Sequence, residues 1–474
     1  MGFFAMIKRW FDSFFKNQAE RDFKVQTLDE PQMAALISKC AAIYQGSPDW
    51  INRDDGIRTI NFAKAICSET ARLTTLAIGI TIDGSARAEW LQNQIDALYY
   101  KLRHWVEYGC AYGTVFLKPN GSTVDIFTPA DVLITDADNQ GIHGIIFKDS
   151  YSQNGRYYTR LEYHRFTDGV RDGVSIAPYY ISNRAYVSDS ADQFGKPIEL
   201  IKTKWADLMA DSPPILKANG EPLDGPLYGV LKTPQANNVD IDSPLGLPVY
   251  AEAIEELRDL DIAYSRNAGE IFDSQKIVLA DDRLMLDTGA KINTPKRQAS
   301  LPHYVKNVFG EGPNSFYQEI NPQLNTDTRI AGINALLSQI GYKVGFANGY
   351  FVFNETSGIQ TATGVEANQQ RTIQYVKDVR DKLENALDEL IYALSIMADL
   401  YGLAPIGEYE VTYDFGDITY NREEDRARWW QYVTAGKVPA WMYFKKFEGM
   451  SEEESRAMVN EATPKEPKLF GEEE

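Results

Sequence analysis

Cysteine is scarce in this chain: Cys40, Cys67 and Cys110 are three in 474 residues. So few, and an odd number, cannot form a disulfide framework, which excludes a secreted, disulfide-stapled scaffold and points to a reducing compartment. Long apolar runs are missing too. No window approaches 18 consecutive apolar residues, so no transmembrane helix is expected. The four histidines, His104, His143, His164 and His303, show neither HExxH nor a Cys/His spacing that builds a metal site. P-loop, GxSxG elbow and strand-linked GxGxxG are all lacking, so no metal or cofactor is implied. Catalysis is left with one route, a carboxylate pair that the fold itself assembles.

What is present is material for a core and an excess of acid. Hydrophobic residues make up 44% and aromatics 12%, which excludes a disordered chain. The length suggests about three domains. Sixty-seven acidic against 48 basic side chains give a formal net charge of -19. In the opening MGFFAMIKRWFDSFF, Lys8, Arg9 and Asp12 interrupt the apolar run of a signal peptide. Phe3, Phe4, Ile7, Phe11, Phe14 and Phe15 instead recur at helical spacing, an amphipathic helix for a membrane surface, a partner groove or the protein's own core.

Periodicity predicts a helix over Asp55 to Leu76, with Ile57, Ile60, Phe62, Ala63, Ile66, Leu73 and Leu76 as apolar positions, and a second over Ser85 to Tyr108. Short runs then read as strands: VFLK, TVDIF, DVLIT, GIIF, and RYYTRLEYHRF after the Asn154-Gly155 turn. Gly195 to Pro244, rich in Pro and Gly, reads as a linker or an irregular crossing, with a boundary near Leu245. Val249 to Lys276 predicts a long helix. Ile277 to Leu324 predicts a small module with strand-like IVLA and LMLD runs, and Asp327 to Ala347 a helix again. Gly341, Gly345 and Gly349, four apart, are either one face open to close backbone approach or a fraying helix end.

Gly349 to Gly364, GYFVFNETSGIQTATG, is far longer than the usual 4–6 residue helix connection and carries too many aromatics for a disordered tract. It contains no Lys or Arg. Beyond it Val376, Val379, Leu383, Leu387, Leu390, Leu394, Met397 and Tyr401 alternate spacings of three and four, predicting a helix over Val365 to Ala404 of about 60 Å, ended by Gly402 and Pro405. Tyr409, Val411, Tyr413 and Phe415 alternate as a strand that must pair with the first half of the chain. Short helical pieces follow from Arg422 to Thr463, then a charged tail, Lys465 to Glu474. The fold class is therefore α+β, mainly helical.

This order of elements resembles the portal proteins of tailed bacteriophages, particularly the branch from long-tailed phages of Gram-positive hosts. INFAKAICSETARL (Ile60 to Leu73), YGCAYGTVFLKP with TPADVLITDAD (Tyr108 to Asp138), ANNVDIDSPLGLPVYAEAIEELRDLDIAYS (Ala236 to Ser265) and GIQTATGVEANQQRTIQYV (Gly358 to Val376) are similar to that branch's recurrent blocks and stand in matching order. One departure is Gly364, where relatives carry a charged residue after TAT.

The resemblance implies a non-enzymatic, twelve-subunit ring at one capsid vertex of the virion, through which double-stranded DNA is packaged and ejected. It implies a wing (1–245, with helix 365–404 and strand 408–416), stem helices (246–276 and 325–348), a clip (277–324), a tunnel loop (349–364) and a crown with tail (417–474). The implied partners are the terminase large subunit, the head-to-tail adaptor, the major capsid protein and a scaffold protein, with no membrane. Lys291, Lys296, Arg297 and Lys306 are the clip's candidate contacts with acidic partners. In the loop, Tyr350, Phe351 and Phe353 are expected to anchor the root, Asn354, Glu355, Thr356 and Ser357 to face DNA, and Gly349, Gly358 and Gly364 to act as hinges. An acidic conduit does not grip the duplex, although acidity equally confers solubility. Another virion structural or scaffold protein, and a hydrolase with fold-assembled carboxylates, are the competing readings.

Overall fold

The structure, a computed structural model, describes residues 14–28, 30–51, 56–121, 123–138, 141–167, 169–171, 174–273, 277–280, 317–320, 325–353, 362–416, 422–448 and 450–462. The chain is mixed α and β and divides into two compact units, Met1–Asp414 and Phe415–Glu474.

In the first unit, residues 14–23 form α1, whose Phe15 and Ala19 pack with Ile146, Leu161, Tyr163, Tyr186 and Phe194. Of the aromatic stripe expected at the N-terminus, Phe15 is buried and Phe14 exposed; Phe3, Phe4, Ile7 and Phe11 lie outside the described residues. α2 is Pro31–Tyr44 and α3 Phe62–Thr74. α3 starts later than its periodicity predicts because residues 56–61 are bound elsewhere. The Ile60 amide donates to Asp261 Oδ1 (2.9 Å) and the Arg58 amide to Ser265 Oγ (2.9 Å), both on α6 (Ile254–Asp273). The helix expected over Ser85 to Tyr108 is two, α4 (Ala86–Asp96) and α5 (Tyr99–Tyr112), the second ended by Gly113 at φ +80.

The strands follow their alternating patterns. β4 (Val132–Ala137), β5 (Ile142–Gln153), β6 (Arg156–Phe166), β9 (Tyr179–Ser188) and β10 (Lys196–Ile198) make an antiparallel sheet in the order β10-β9-β6-β5-β4. The β5–β6 turn is Asn154-Gly155 with φ +52 and +74, the left-handed pair that a two-residue hairpin needs. β2 (Thr114–Asn120), β3 (Thr123–Phe127) and β11 (Gly229–Lys232) form a second sheet, and β7 (Gly169–Arg171) pairs with β8 (Val174–Ile176). Met33 and Ile37 of α2 join Phe116, Phe127, Phe147, Tyr228, Leu245 and Leu247 in one core. Of the two readings of Gly195 to Pro244, the irregular crossing is the one found, and Leu245 lies within the packing and not at a boundary. Its periodicity is weak because residues 210–215 run irregularly along β9, with Asn183 N to Ala210 O at 2.7 Å and Ile215 N to Tyr179 O at 2.8 Å.

α6 and α7 (Thr326–Val344) lie antiparallel. Lys343 near the end of α7 meets Glu256 (2.6 Å) in the first turn of α6 and the Glu252 carbonyl (2.9 Å) just before it. Between them β12 (Ile277–Ala280) pairs with β13 (Tyr317–Ile320); the LMLD run lies outside the described residues. α8 (Ala362–Tyr401) is a 40-residue helix whose Val376, Val379, Leu383, Leu387, Leu390 and Leu394 are buried, while Tyr401 is exposed. β14 (Tyr409–Asp414) returns to the first half, pairing with β1 (Gly79–Gly84) in a two-stranded sheet of its own. α8 lies so close to β11 that a Cβ on Gly229 would sit 2.2 Å from the Ala386 carbonyl oxygen. There Glu389 Oε2 accepts the Val230 amide at 2.7 Å, and burial pushes its carboxyl up to about 7.

Two buried guanidiniums bind helix ends. Arg380 on α8 donates to the Leu73 and Thr74 carbonyls that close α3, both at 3.1 Å. Arg87 on α4, 1% exposed, donates to the carbonyl of Ser395 (2.5 Å) in α8 and to those of Ala404 (3.1 Å) and Pro405 (2.8 Å) just beyond it, and pairs with Asp399 of its last turn. The Leu73 and Thr74 carbonyls lie in the last turn of α3, where the negative end of the macrodipole gathers.

The second unit holds α9 (Arg422–Thr434), α10 (Ala440–Phe447) and α11 (Glu452–Ala462). Tyr443 and Phe447 are buried beside Trp429 and Trp430, and Ser451 with Glu454 forms a capping box that starts α11.

Arg87→Lys keeps the charge but cannot reach four acceptors at once. It is expected to cost about 3 kcal/mol, the scale for breaking a buried charged network. Hydrogen exchange should quicken at residues 402–414 before it does in β5 and β6, and an unchanged denaturation midpoint would refute the role given to this cap.

Candidate functional site

The segment that follows α7 is built by its sequence into a tight root. Gly345 ends the helix at φ +121, a conformation side chains rarely adopt, and a Cβ there would lie 2.8 Å from the Tyr375 ring. Phe346 and Ala347 are buried, and the Ala347 amide donates to Thr372 Oγ1 on α8 at 2.8 Å. Gly349, at φ +78, turns the chain so that the next two rings fall inward. Phe346 then touches Tyr350, Phe351 and Tyr375, with centroids at 4.9, 4.8 and 5.4 Å, and Phe351 meets Phe62 of α3 edge-on at 5.1 Å. Edge-to-face contacts of this kind add to the area each ring buries.

Polar groups tie the same root to its neighbours. The Tyr350 hydroxyl donates to Glu69 on α3, and Glu69 takes two hydrogen bonds from Arg72, at 2.6 and 2.8 Å. The Arg72 hydrogen bond, with help from Tyr350, holds the Glu69 carboxyl below the usual carboxylate range against the effect of burial. Burial and that carboxylate push the Tyr350 phenol up to about 12. Asn334 of α7 clamps the backbone of Phe353 from both sides, accepting from its amide (2.8 Å) and donating to its carbonyl (2.9 Å). Beside the root runs a shallow groove of about 680 Å³ lined by Ala331, Asn334, Ala335, Ser338, Tyr342 and Asn348, with no charged group in its lining. The Arg371 guanidinium stacks on Tyr342 at 3.9 Å.

Among the residues named from sequence, Tyr350 and Phe351 are brought together in the aromatic cluster, whereas the Phe353 ring is 45% exposed and its backbone is what is pinned. Asn354, Glu355, Thr356, Ser357 and Gly358 lie outside the described residues, as do Lys291, Lys296, Arg297 and Lys306. Gly364 lies within α8, which begins at Ala362, so the loop ends earlier than expected and Gly364 stands in the helix's first turn. Gly341, Gly345 and Gly349 do not share a helix face, because α7 stops at Val344. Gly341 stays helical with Phe351 against it, where a Cβ would meet the ring at 3.3 Å. Phe62, Glu69, Asn334, Thr372 and Tyr375 were not legible as parts of this site. Glu69 and Arg72 stand three apart as a helical ion pair, but nothing local announces Tyr350 as a third member.

Among the described residues no group of three or more His, Cys, Asp or Glu is placed to hold a metal ion, and no helix is long and apolar enough to cross a membrane. No protein-family model matches the sequence, and no curated protein matches it either.

Tyr350→Phe removes one hydrogen bond to a carboxylate and should cost about 1.5 kcal/mol at pH 7. Because the Glu69 pKa is lowered in the folded chain, the contribution is present above its ordinary value of 4.5 and is lost as pH falls through the lower, folded value. Thermal melts of the variant and the parent at pH 7 and pH 3.5 should therefore converge at the acid end, and a constant gap would exclude the ionised Glu69 as the partner.

Proposed function

We propose that the chain is the portal subunit of a tailed bacteriophage. Twelve copies close into a ring at one capsid vertex of the virion, assembled in the host cytoplasm. The terminase motor packages double-stranded DNA through the channel, the DNA later leaves by the same route, and the ring meets the head-to-tail adaptor, capsid protein and scaffold. The observation that carries this reading is the order of elements: an antiparallel helix pair, α6 and α7, with a strand pair set between them, followed by an aromatic-rooted loop that leads into a 40-residue helix. In this reading α6 and α7 are the stem, residues 277–324 the clip, and the remainder of the first unit with α8 and β14 the wing. The second unit is the crown, and residues 349–364 are the tunnel loop.

Physical chemistry supports the assignment of the loop. A segment that slides along a duplex should present no cation to phosphate, since each neutralised phosphate adds affinity through counterion release. Residues 349–364 contain neither Lys nor Arg, and the chain as a whole carries -19. The ring geometry suits the chain because head-to-tail contacts between identical copies close when their rotation divides the circle.

Electron microscopy of purified particles viewed end-on is expected to show a closed ring with a central channel, and mass photometry a mass near twelve copies. A stable monomer across assembly conditions, with no ring in virions, would sink the proposal. Replacing Glu355 and Thr356 with Lys is expected to slow single-molecule packaging severalfold at low salt and to do so less as salt rises. Unchanged rates, or slowing without salt dependence, would mean that these residues do not face the moving duplex.

A further inference from the structure

The core of the five-stranded sheet contains a set of charged and polar groups that the proposed function does not use. His164 on β6, 3% exposed, sits between Glu162 on the same strand and Tyr179 on β9, with Nε2 3.0 Å from Glu162 Oε1 and Nδ1 2.8 Å from the Tyr179 hydroxyl. Glu162 Oε2 accepts from Lys118 of β2 (2.5 Å) and from Arg160 of β6 (2.7 Å), and Arg160 also reaches Asp149 of β5 at 3.6 Å. Phe147 and Tyr228 close the imidazole in, with ring centroids at 5.3 and 6.0 Å. Lys118, Asp149, Arg160, Glu162, Tyr179 and Tyr228 are thus the titratable and charged groups that face His164 and its carboxylate from β2, β5, β6, β9 and the segment leading to β11.

Counting donors gives the network a direction. The ionised Glu162 carboxylate can only accept, which places the hydrogen of a neutral ring on Nε2, and the Tyr179 hydroxyl, whose oxygen takes the Leu227 amide at 3.2 Å, gives its one hydrogen to Nδ1. Nδ1 is then the bare nitrogen of a neutral ring, and Nε2–H donates to Glu162. A protonated imidazole breaks this chain. It would set two donors against each other at Nδ1, leave a buried phenol hydrogen without an acceptor, and add a third cation beside Lys118 and Arg160. Burial pushes the imidazole pKa down, and the Glu162 carboxylate offsets this only in part.

The far end of the relay is the segment Leu223 to Tyr228, which lies between the sheet and α8. Leu223 and Leu227 pack with Tyr179, Ala393 and Ile396, and the Asp224 amide donates to the Tyr392 hydroxyl at 2.8 Å. We propose that the Glu162–His164–Tyr179–Leu227 chain is an acid-released latch, which seats residues 223–228 between the sheet and α8 while His164 is neutral and frees them when it takes up a proton. Closed and open forms bind protons equally above the ordinary histidine pKa of 6.5, so the latch is at full strength there. Below that value the open form is protonated first, and closure weakens as pH falls.

Hydrogen exchange of the intact chain, read by mass spectrometry on a peptide spanning residues 223–231 and corrected for the intrinsic pH dependence of exchange, tests this. Opening of this segment is expected to rise up to about tenfold per pH unit between pH 6 and 5, the slope for one proton taken up on opening. Glu389, against Val230, gives the opposite sign: its raised pKa makes the closed form firmer as pH falls, and Glu389→Gln should sharpen the rise. His164→Gln, which can still accept from Tyr179 and donate to Glu162, should flatten the rise whatever its overall stability. Tyr179→Phe should speed exchange of the same peptide at pH 7.5 and also remove the slope. A wild-type segment with no acid-dependent opening, or a rise that persists in both variants, overturns the latch.

Discussion

The first unit depends on buried guanidinium groups that tie the backbone near helix ends to other helices. α8 touches α3, α4, β2 and β11. Arg87 ties the last two turns of α8 and the backbone that follows them to α4, while Arg380, from the midsection of α8, takes the carbonyls that close α3. A guanidinium suits both places because its planar fork reaches several carbonyls at once and stays charged at any accessible pH. With the backbone at 404–405 held by Arg87, the chain turns sharply after Tyr401, through Gly402 at φ +60, and comes back as β14 against β1. β1 gains its second neighbour from side chains. Gln92 and the Tyr99 hydroxyl accept the amides of Ile82 and Ile80 at 2.7 and 2.6 Å, so the edge away from β14 does not present bare amides there.

Close approach is the second constraint. Gly113 and Gly246 pass so near one another that a Cβ on Gly113 would lie 2.2 Å from the Gly246 carbonyl oxygen, and Gly229 is equally tight against α8. The Gly229 contact brings β11 onto the long helix at backbone distance, where a carboxylate, Glu389, serves an amide of the strand directly. The reading of the chain as a phage portal subunit draws on this arrangement only in that it requires α8 to be long and well supported along one side.

Legibility in the sequence followed the range of the interaction that decides each element. The Asn154-Gly155 hairpin, the alternating strands and α8 are set by turn chemistry and side-chain period within a few residues, and these were readable. The start of α3 was not, because the amides before it are taken by Asp261 and Ser265, some two hundred positions away. Arg87 reads as an ordinary residue in the first turn of a helix, although its acceptors stand more than three hundred positions on. The candidate site divides in the same way. The aromatic content of Tyr350 and Phe351 was visible, but their neighbours Phe62, Glu69 and Tyr375 come from two other helices, and no spacing rule joins them.

α8 is engaged from outside at two places along its length. About three turns in, Thr372 and Tyr375 meet the root of the loop, and in its last two turns Arg87 takes the Ser395 carbonyl and pairs with the Asp399 carboxylate. Ser395 stands 23 residues beyond Thr372, roughly 35 Å along a helix of 40 residues and about 60 Å. One unbroken helix thereby spans from the loop root to the turn that leads into β14, so the two places are joined by backbone hydrogen bonds and not by a flexible connection.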